Sequence, residues 1–299
     1  MMEEKQQTMT RRAYGEIFIG VFLLGTGPMF VKSIHASGTL IAFYRLLFAA
    51  AMLTMPAVMV GKKHPAIRSR KTKVGWLLAG GAAFAVNIAL WSSALKYASA
   101  AIVTVLDNTA PVWVGLFAWL VLGHRQGSGY WIGLILALTG STLLVTGGFS
   151  AGSSTASLGI MLSVFSGISY AVYILVTQQA RRYYSSMTYS WMVSLTGAAI
   201  LLVFGILSGA LAASLSLRGY GLIFLLALSS QVLGWYLVND ALGKLPSAAG
   251  AVALVGQPVL STLLGIFILG ELLTLGQWAG VFLCLAGILL AQSKSKIAE

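Results

Sequence analysis

Apolar residues run along this chain in blocks of about twenty, and the blocks recur about ten times with few turn-rich gaps between them. Each block is long enough to cross a hydrocarbon core of roughly 30 Å as a helix. The spans predicted in this way are roughly 15–33, 38–60, 74–96, 98–122, 128–147, 157–180, 188–208, 219–242, 246–269 and 274–292. The pattern also repeats. Shifted by 147 residues, Ala94–Leu143 lies on Ala241–Leu290 without a gap, and 16 of the 50 pairs are identical. A Leu/Ala/Gly-rich composition gives roughly five such identities by chance, so the repeat is internal duplication. Pro111 falls on Pro258 and Trp131 on Trp278. Gly123, Gly129, Gly133 and Gly140 fall on Gly270, Gly276, Gly280 and Gly287.

These blocks predict an all-α membrane protein. Residues 1–147 form a first unit of five helices, 148–156 an uncharged external linker, and 157–299 a second unit of five. Five spans per half is an odd number, so the second half is expected upside down relative to the first. Inverted repeats of this kind recur in secondary transporters, with the solute handled near the midplane between the halves.

Composition sharpens the class. With 299 residues, 58% hydrophobic and 9% charged, the chain carries more apolar surface than a soluble domain buries. The net charge of +12 raises nucleic acid as a partner, but its distribution argues against one. Of 19 Lys and Arg, 15 fall on one side of a ten-span reading, including the basic loop Lys62–Lys73. That is the positive-inside asymmetry, and it predicts both termini in the cytoplasm. The same loop could touch anionic headgroups. The lone Cys284 lies inside a span and is read as a buried thiol. No cleavable signal peptide is expected, because nine further spans follow the first.

Ionisable groups inside spans are costly and therefore mark candidate sites. At about 1.5 Å per residue, Asp107 lies roughly 13 Å and Arg45 roughly 10 Å from the external end of their spans. They can be partners, either as a structural ion pair or as a substrate or proton site. Lys32 either snorkels to the external surface or serves the path. Asn87, Asn108 and Gln231 are uncharged groups deep enough to bind a neighbouring helix or a ligand. Tyr44, Trp91, Trp113 and Trp235 flank these residues and can pack in the core or form the walls of a cavity for an organic solute. Pro111 and Pro258 each free a carbonyl one turn earlier, so both helices are expected to bend where they face an interior cavity. Asn239 and Asp240 close the eighth span, where an exposed helix terminus accounts for them.

Gly129-x3-Gly133 and Gly276-x3-Gly280 are small-residue faces that let helices approach closely. Packing within the monomer is the favoured reading, and a homodimer contact is the alternative. His35, His64 and His124 have no partners at ligand spacing, so neither a metal nor a cofactor is expected. No phosphate-binding glycine loop or catalytic constellation is present in the sequence, and no enzymatic activity is expected.

Lys244-Leu-Pro-Ser-Ala-Ala-Gly through Gln257-Pro258, with Leu269-Gly270-Glu271, Gln277, Gly280 and Gly287, resembles the second repeat of the EamA-type permeases of the drug/metabolite transporter superfamily. Leu24-Gly25, Phe30, Lys32 and Arg45 are similar to that family's opening motif. Gln257 and His124 stand where the family often has Glu. The resemblance implies ten helices in two inverted repeats around a cavity lined by the first four spans of each. It further implies a bacterial inner-membrane exporter of amino acids or related metabolites, and the aromatic side chains near the polar candidates extend the expectation to aromatic amino acids. A non-transporting sensor or assembly scaffold is the competing reading.

Overall fold

A computed structural model describes residues 2–63, 71–98, 100–123, 125–145, 154–212, 214–259 and 274–294. The basic loop through His64, the positions of His124 and Glu271, most of the linker 148–156 and the second part of the ninth predicted span lie outside the described residues. Every described element is helical. In the first half, α1 spans Met2–Gly25, α2 Gly27–Ser33, α3 Gly38–Lys63, α4 Lys71–Tyr97, α5 Ala100–Asp107, α6 Ala110–Leu122 and α7 Ser128–Val145. In the second, α8 spans Ser154–Ala180, α9 Ser186–Leu207 and α10 Leu217–Leu226. A π-helical segment, Ala227–Gly234, leads into α11, Trp235–Leu242. It is followed by α12, Ser247–Leu254, and α13, Leu275–Lys294.

Among the described residues, seven helical stretches are long and apolar enough to cross a membrane: Thr10–Ser33, Gly38–Val60, Val74–Tyr97, Ile102–Leu120, Ser157–Ala180, Ser186–Leu207 and Leu217–Leu242. Three shorter apolar helices, Ser128–Leu143, Ser247–Val259 and Trp278–Ala291, accompany them. Their outer faces are apolar. Leu207 is 82% exposed and Leu289 68%, as expected where the surrounding solvent is hydrocarbon rather than water.

Helix ends follow local chemistry. The Ser185 hydroxyl accepts from the Thr188 amide at 3.1 Å to start α9, and the Ser216 hydroxyl accepts from the Gly219 amide at 3.1 Å to start α10. Gly123 ends α6 at φ 72°, a backbone conformation that glycine adopts without steric cost.

The first and fourth predicted spans are each broken in two, and the ninth breaks in the same manner. Each break precedes a proline at the second position of the following helical segment: Pro28 after Thr26, Pro111 after Asn108 and Thr109, and Pro258 after Val255 and Gly256. A proline there has no amide hydrogen and cannot continue the ladder. Threonines close two of the gaps: the Thr26 hydroxyl donates to the Leu23 carbonyl and the Thr109 hydroxyl to the Leu106 carbonyl, both at 2.7 Å. The fourth- and ninth-span breaks are 147 residues apart, the same offset as the sequence repeat.

Packing between halves is symmetric. Helix α4 lies along α8, while α1 lies along α11 and the π-helical segment; α3 packs on α9 and α7 on α13. Exchanging the halves leaves that pattern unchanged. The α7–α13 contact is backbone to backbone: a Cβ on Gly140 would come within 2.7 Å of the Gly280 carbonyl, and one on Gly287 within 2.6 Å of the Gly133 carbonyl. Gly133 and Gly280 are therefore engaged within the chain, whereas Gly129 is half-buried and Gly276 exposed.

A charged cluster ties the halves together at the end of the bundle where α1 begins. Lys244 donates to Glu16 Oε1 at 2.9 Å and Oε2 at 2.7 Å and is also paired with Asp240. Arg181 reaches Asp240 Oδ1 at 2.9 Å, and Arg12 reaches Glu16 at 2.9 Å. Asn239 is 1% exposed rather than at an open helix end. It accepts from the Tyr173 hydroxyl at 2.6 Å and donates to Ser190 at 3.1 Å, because α8 and α9 cover the end of α11.

Candidate functional site

The breaks and the π-helical segment bring polar groups into the interior. Asp107 is the last residue of α5, so its side chain projects at the point where the fourth span is interrupted. Its Oδ1 accepts from the Ser166 hydroxyl at 2.7 Å and from Asn87 Nδ2 at 3.4 Å. Asn87 Nδ2 also reaches the Ser166 hydroxyl at 2.9 Å and the Ser166 carbonyl at 3.1 Å. One carboxylate is thus held by neutral groups from α4 and α8.

Arg45 sits on α3 and is 2% exposed. Its Nε donates to Gln231 Oε1 at 3.1 Å and its Nη2 to the Ser230 hydroxyl at 2.9 Å. Both acceptors belong to the π-helical segment. The wider turn of a π-helix sets Ser230 and Gln231 on adjacent positions toward α3, and such segments recur at functional sites. The Arg45 guanidinium lies 6.0 Å from the centre of the Trp91 ring. Among the described residues, neither Arg45 nor Asp107 makes an ion pair.

Arg45 and Asp107 nevertheless line one cavity, together with Leu24, Asn87, Ile88, Trp91, Tyr170, Ser230, Trp235 and Gln257. These residues come from both halves. The cavity volume is about 30 Å³, room for one or two waters. Trp235 is wedged edge-on against Phe84, Tyr170 and Tyr173, with ring centres 4.9, 5.5 and 5.4 Å away.

Of the residues singled out from the sequence, Arg45, Asn87, Trp91, Asp107 and Trp235 line this cavity, and Gln231 stands behind Arg45. The others lie elsewhere. Tyr44 packs edge-on against Tyr220 at 5.1 Å, with a hydroxyl contact of 3.4 Å. Trp113 donates to the Thr109 hydroxyl at 3.3 Å and packs on the core. Asn108 is buried at the fourth-span break, where its Nδ2 has no partner among the described residues. Lys32 is exposed and joins His35 and Lys96 around a separate, more open cavity of about 490 Å³ at the opposite end from the charged cluster. There Lys96 donates to the Val31 and Ile34 carbonyls at 2.8 and 2.7 Å and closes the end of α2. Ile88, Tyr170, Ser166 and Ser230 are site residues that sequence reasoning did not single out, while Leu24 and Gln257 stood only in the family resemblance. Pro28, which repeats the spacing of Pro111 from a threonine, is a signal that could have marked the break beside Leu24.

The EamA-like transporter family matches residues 12–146 and 157–292. The chain belongs to that family. This EamA-like transporter is 26% identical over 295 residues to the uncharacterized transporter YwfM of Bacillus subtilis (strain 168), covering 95% of each chain. It is 26% identical over 301 residues to the uncharacterized inner membrane transporter YicL of Salmonella typhimurium, covering 96% of this chain and 97% of that one. The uncharacterized protein PA1977 of Pseudomonas aeruginosa is 30% identical over 256 residues, covering 82% and 84%. A solved crystal structure superposes with a TM-score of 0.74 at 18% identity, over 95% of this chain and 97% of that one, and it shares the fold. The EamA-like transporter is therefore a multi-pass membrane permease with a two-repeat fold.

Proposed function

We propose that this permease exports small organic metabolites, amino acids with aromatic ones among them, by alternating access about the cavity between its halves. In this reading the halves, 1–147 and 157–299, are inverted five-helix repeats joined by the external linker 148–156, with both termini in the cytoplasm of a bacterium and the protein in its inner membrane. The observation that carries the proposal is the interior itself. A buried guanidinium and a carboxylate, each held by neutral groups, face one aromatic-walled cavity built from both repeats. A charge inside a membrane protein that is not neutralised by the fold is expected to meet its counter-charge in the solute or ion it handles.

The same reading assigns the two ends of the bundle. The Glu16–Lys244–Asp240–Arg181 cluster closes the cytoplasmic end, and the cavity around Lys32, His35 and Lys96 lies at the external end. Movement of solute then requires the halves to part at the cluster, since the central space as it stands is too small for an organic molecule. The small-residue faces at Gly129/Gly133 and Gly276/Gly280 support a monomer, because Gly133 and Gly280 are already used between α7 and α13.

Counterflow in proteoliposomes tests the function directly. Vesicles preloaded with a panel of amino acids, aromatic ones included, are expected to accumulate the labelled member that the protein carries. No exchange of any member, from protein shown to be folded, would remove the amino-acid reading.

A further inference from the structure

Arg45 and Asp107 face one cavity but do not neutralise each other. Arg45 is only partly engaged. Of the five N–H donors of a guanidinium, it uses one on Nε and one on Nη2. Both hydrogens of Nη1 and the second of Nη2 have no acceptor among the described residues. That leaves a fork suited to the two oxygens of a carboxylate. The Asp107 carboxylate shows the converse. Its Oδ1 takes hydrogen bonds from Ser166 and Asn87, whereas its Oδ2 accepts none among the described residues.

A bare cation fits only Asp107, and a bare anion fits only Arg45. Either leaves the other charge unmatched in a low-dielectric interior, where an unpaired ion is strongly destabilising. One molecule carrying both charges satisfies both groups together. The rest of the lining includes the apolar and aromatic side chains of Leu24, Ile88, Trp91, Tyr170 and Trp235. Resting on the permease reading above, we infer that the central site is a zwitterion clamp: Arg45 takes the carboxylate of the solute, Asp107 takes its ammonium, and the aromatic wall receives the side chain. Ser230 and Gln231, from the π-helical segment, orient the guanidinium; Ser166 and Asn87 orient the carboxylate. The two ends of the solute are then gripped by different elements, the carboxylate by α3 and the ammonium by α5.

Counterflow of labelled phenylalanine, 2-phenylethylamine and 3-phenylpropionate separates the charges while keeping one ring. The wild-type protein is expected to carry phenylalanine at least about tenfold faster than either analogue, since each leaves one buried charge without its partner. Arg45→Gln is expected to reduce phenylalanine flux at least about tenfold and bring the amine to parity with it. Asp107→Asn should do the same for the carboxylate analogue. Wild-type flux of either analogue at the phenylalanine rate overturns the clamp, and so do two folded variants that lose all three compounds in proportion. If either variant fails to fold, the wild-type comparison decides alone. If neither phenylalanine nor any other amino acid exchanges, the function proposed above fails and the clamp with it. If amino acids exchange but selectivity for both charges is missing, only the clamp fails.

Discussion

Ser166 carries more of the site than its size suggests. Its hydroxyl donates to Asp107 at 2.7 Å and meets Asn87 Nδ2 at 2.9 Å, so one small group fixes two polar side chains from different helices. Ser166→Ala is expected to raise the KM of the transported amino acid by about tenfold through loss of a hydrogen bond to a charged group. The melting temperature should fall as well, because Ser166 is fully buried and its loss takes a partner from both side chains, so the KM is compared at a temperature where the variant is folded. An unchanged KM would separate Ser166 from the site. From sequence, Arg45, Asp107 and Asn87 were legible because groups that are costly in hydrocarbon stand out against an apolar run. Ser166 was not. Serines in spans commonly bond their own helix, as Ser163 does to the Gly159 carbonyl at 2.7 Å, and nothing in the letters distinguishes the two. Sequence depth also suggested that Arg45 and Asp107 could pair. The fold gives each of them neutral partners instead, a distinction of angstroms that residue counting along a helix does not reach.

At the scale of elements, the proline breaks are the parts that both halves share. Pro111 and Pro258 were visible as a repeated residue, and the bend expected there is an outright interruption, with Asn108–Thr109 and Val255–Gly256 outside the helices. The break at Pro28 went unread because its span has no partner in the aligned repeat. Restoring an amide hydrogen allows the ladder to close. Pro111→Ala and Pro258→Ala are each expected to lower the counterflow rate severalfold while changing the melting temperature little, since the regained backbone hydrogen bond is offset by the greater freedom of the unfolded chain. Parental rates in both variants would show that the breaks do not limit transport. The π-helical segment had no sequence signal, since Leu217–Leu242 is too uniformly apolar to carry a polar stripe whose phase a widened turn would visibly shift. It nevertheless supplies both side chains that hold Arg45.

At the scale of the molecule, the two halves meet, among the described residues, in a symmetric set of helix pairs, and a charged cluster ties them at the end where α1 begins. Burial works against the Lys244 ammonium, but hydrogen bonds to Asp240 and Glu16, and the charges of both, more than offset it and raise its pKa above 10.5. A raised folded pKa means that this pairing contributes fully below 10.5, the unfolded value, and is lost as pH rises through the higher folded one. The wild-type melting temperature is therefore expected to fall on alkaline titration above 10.5 by an amount absent from Lys244→Met. Identical alkaline profiles would show that Lys244 contributes no linkage.

The matched breaks near Pro111 and Pro258 also bear on where the molecule rests. On the alternating-access reading proposed above, chemically identical halves would make the inward-open and outward-open shapes two-fold equivalents of one another, equal in energy. They are not identical. Leu254 stands where the first half has Asp107, and Gln257 where it has Ala110. The break is duplicated but its chemistry is not, so on the same reading the two shapes differ in energy by whatever those few side chains gain or lose between them. On that reading the idle direction of the carrier is set by the unmatched side chains at the breaks together with the charged cluster that ties the halves at one end.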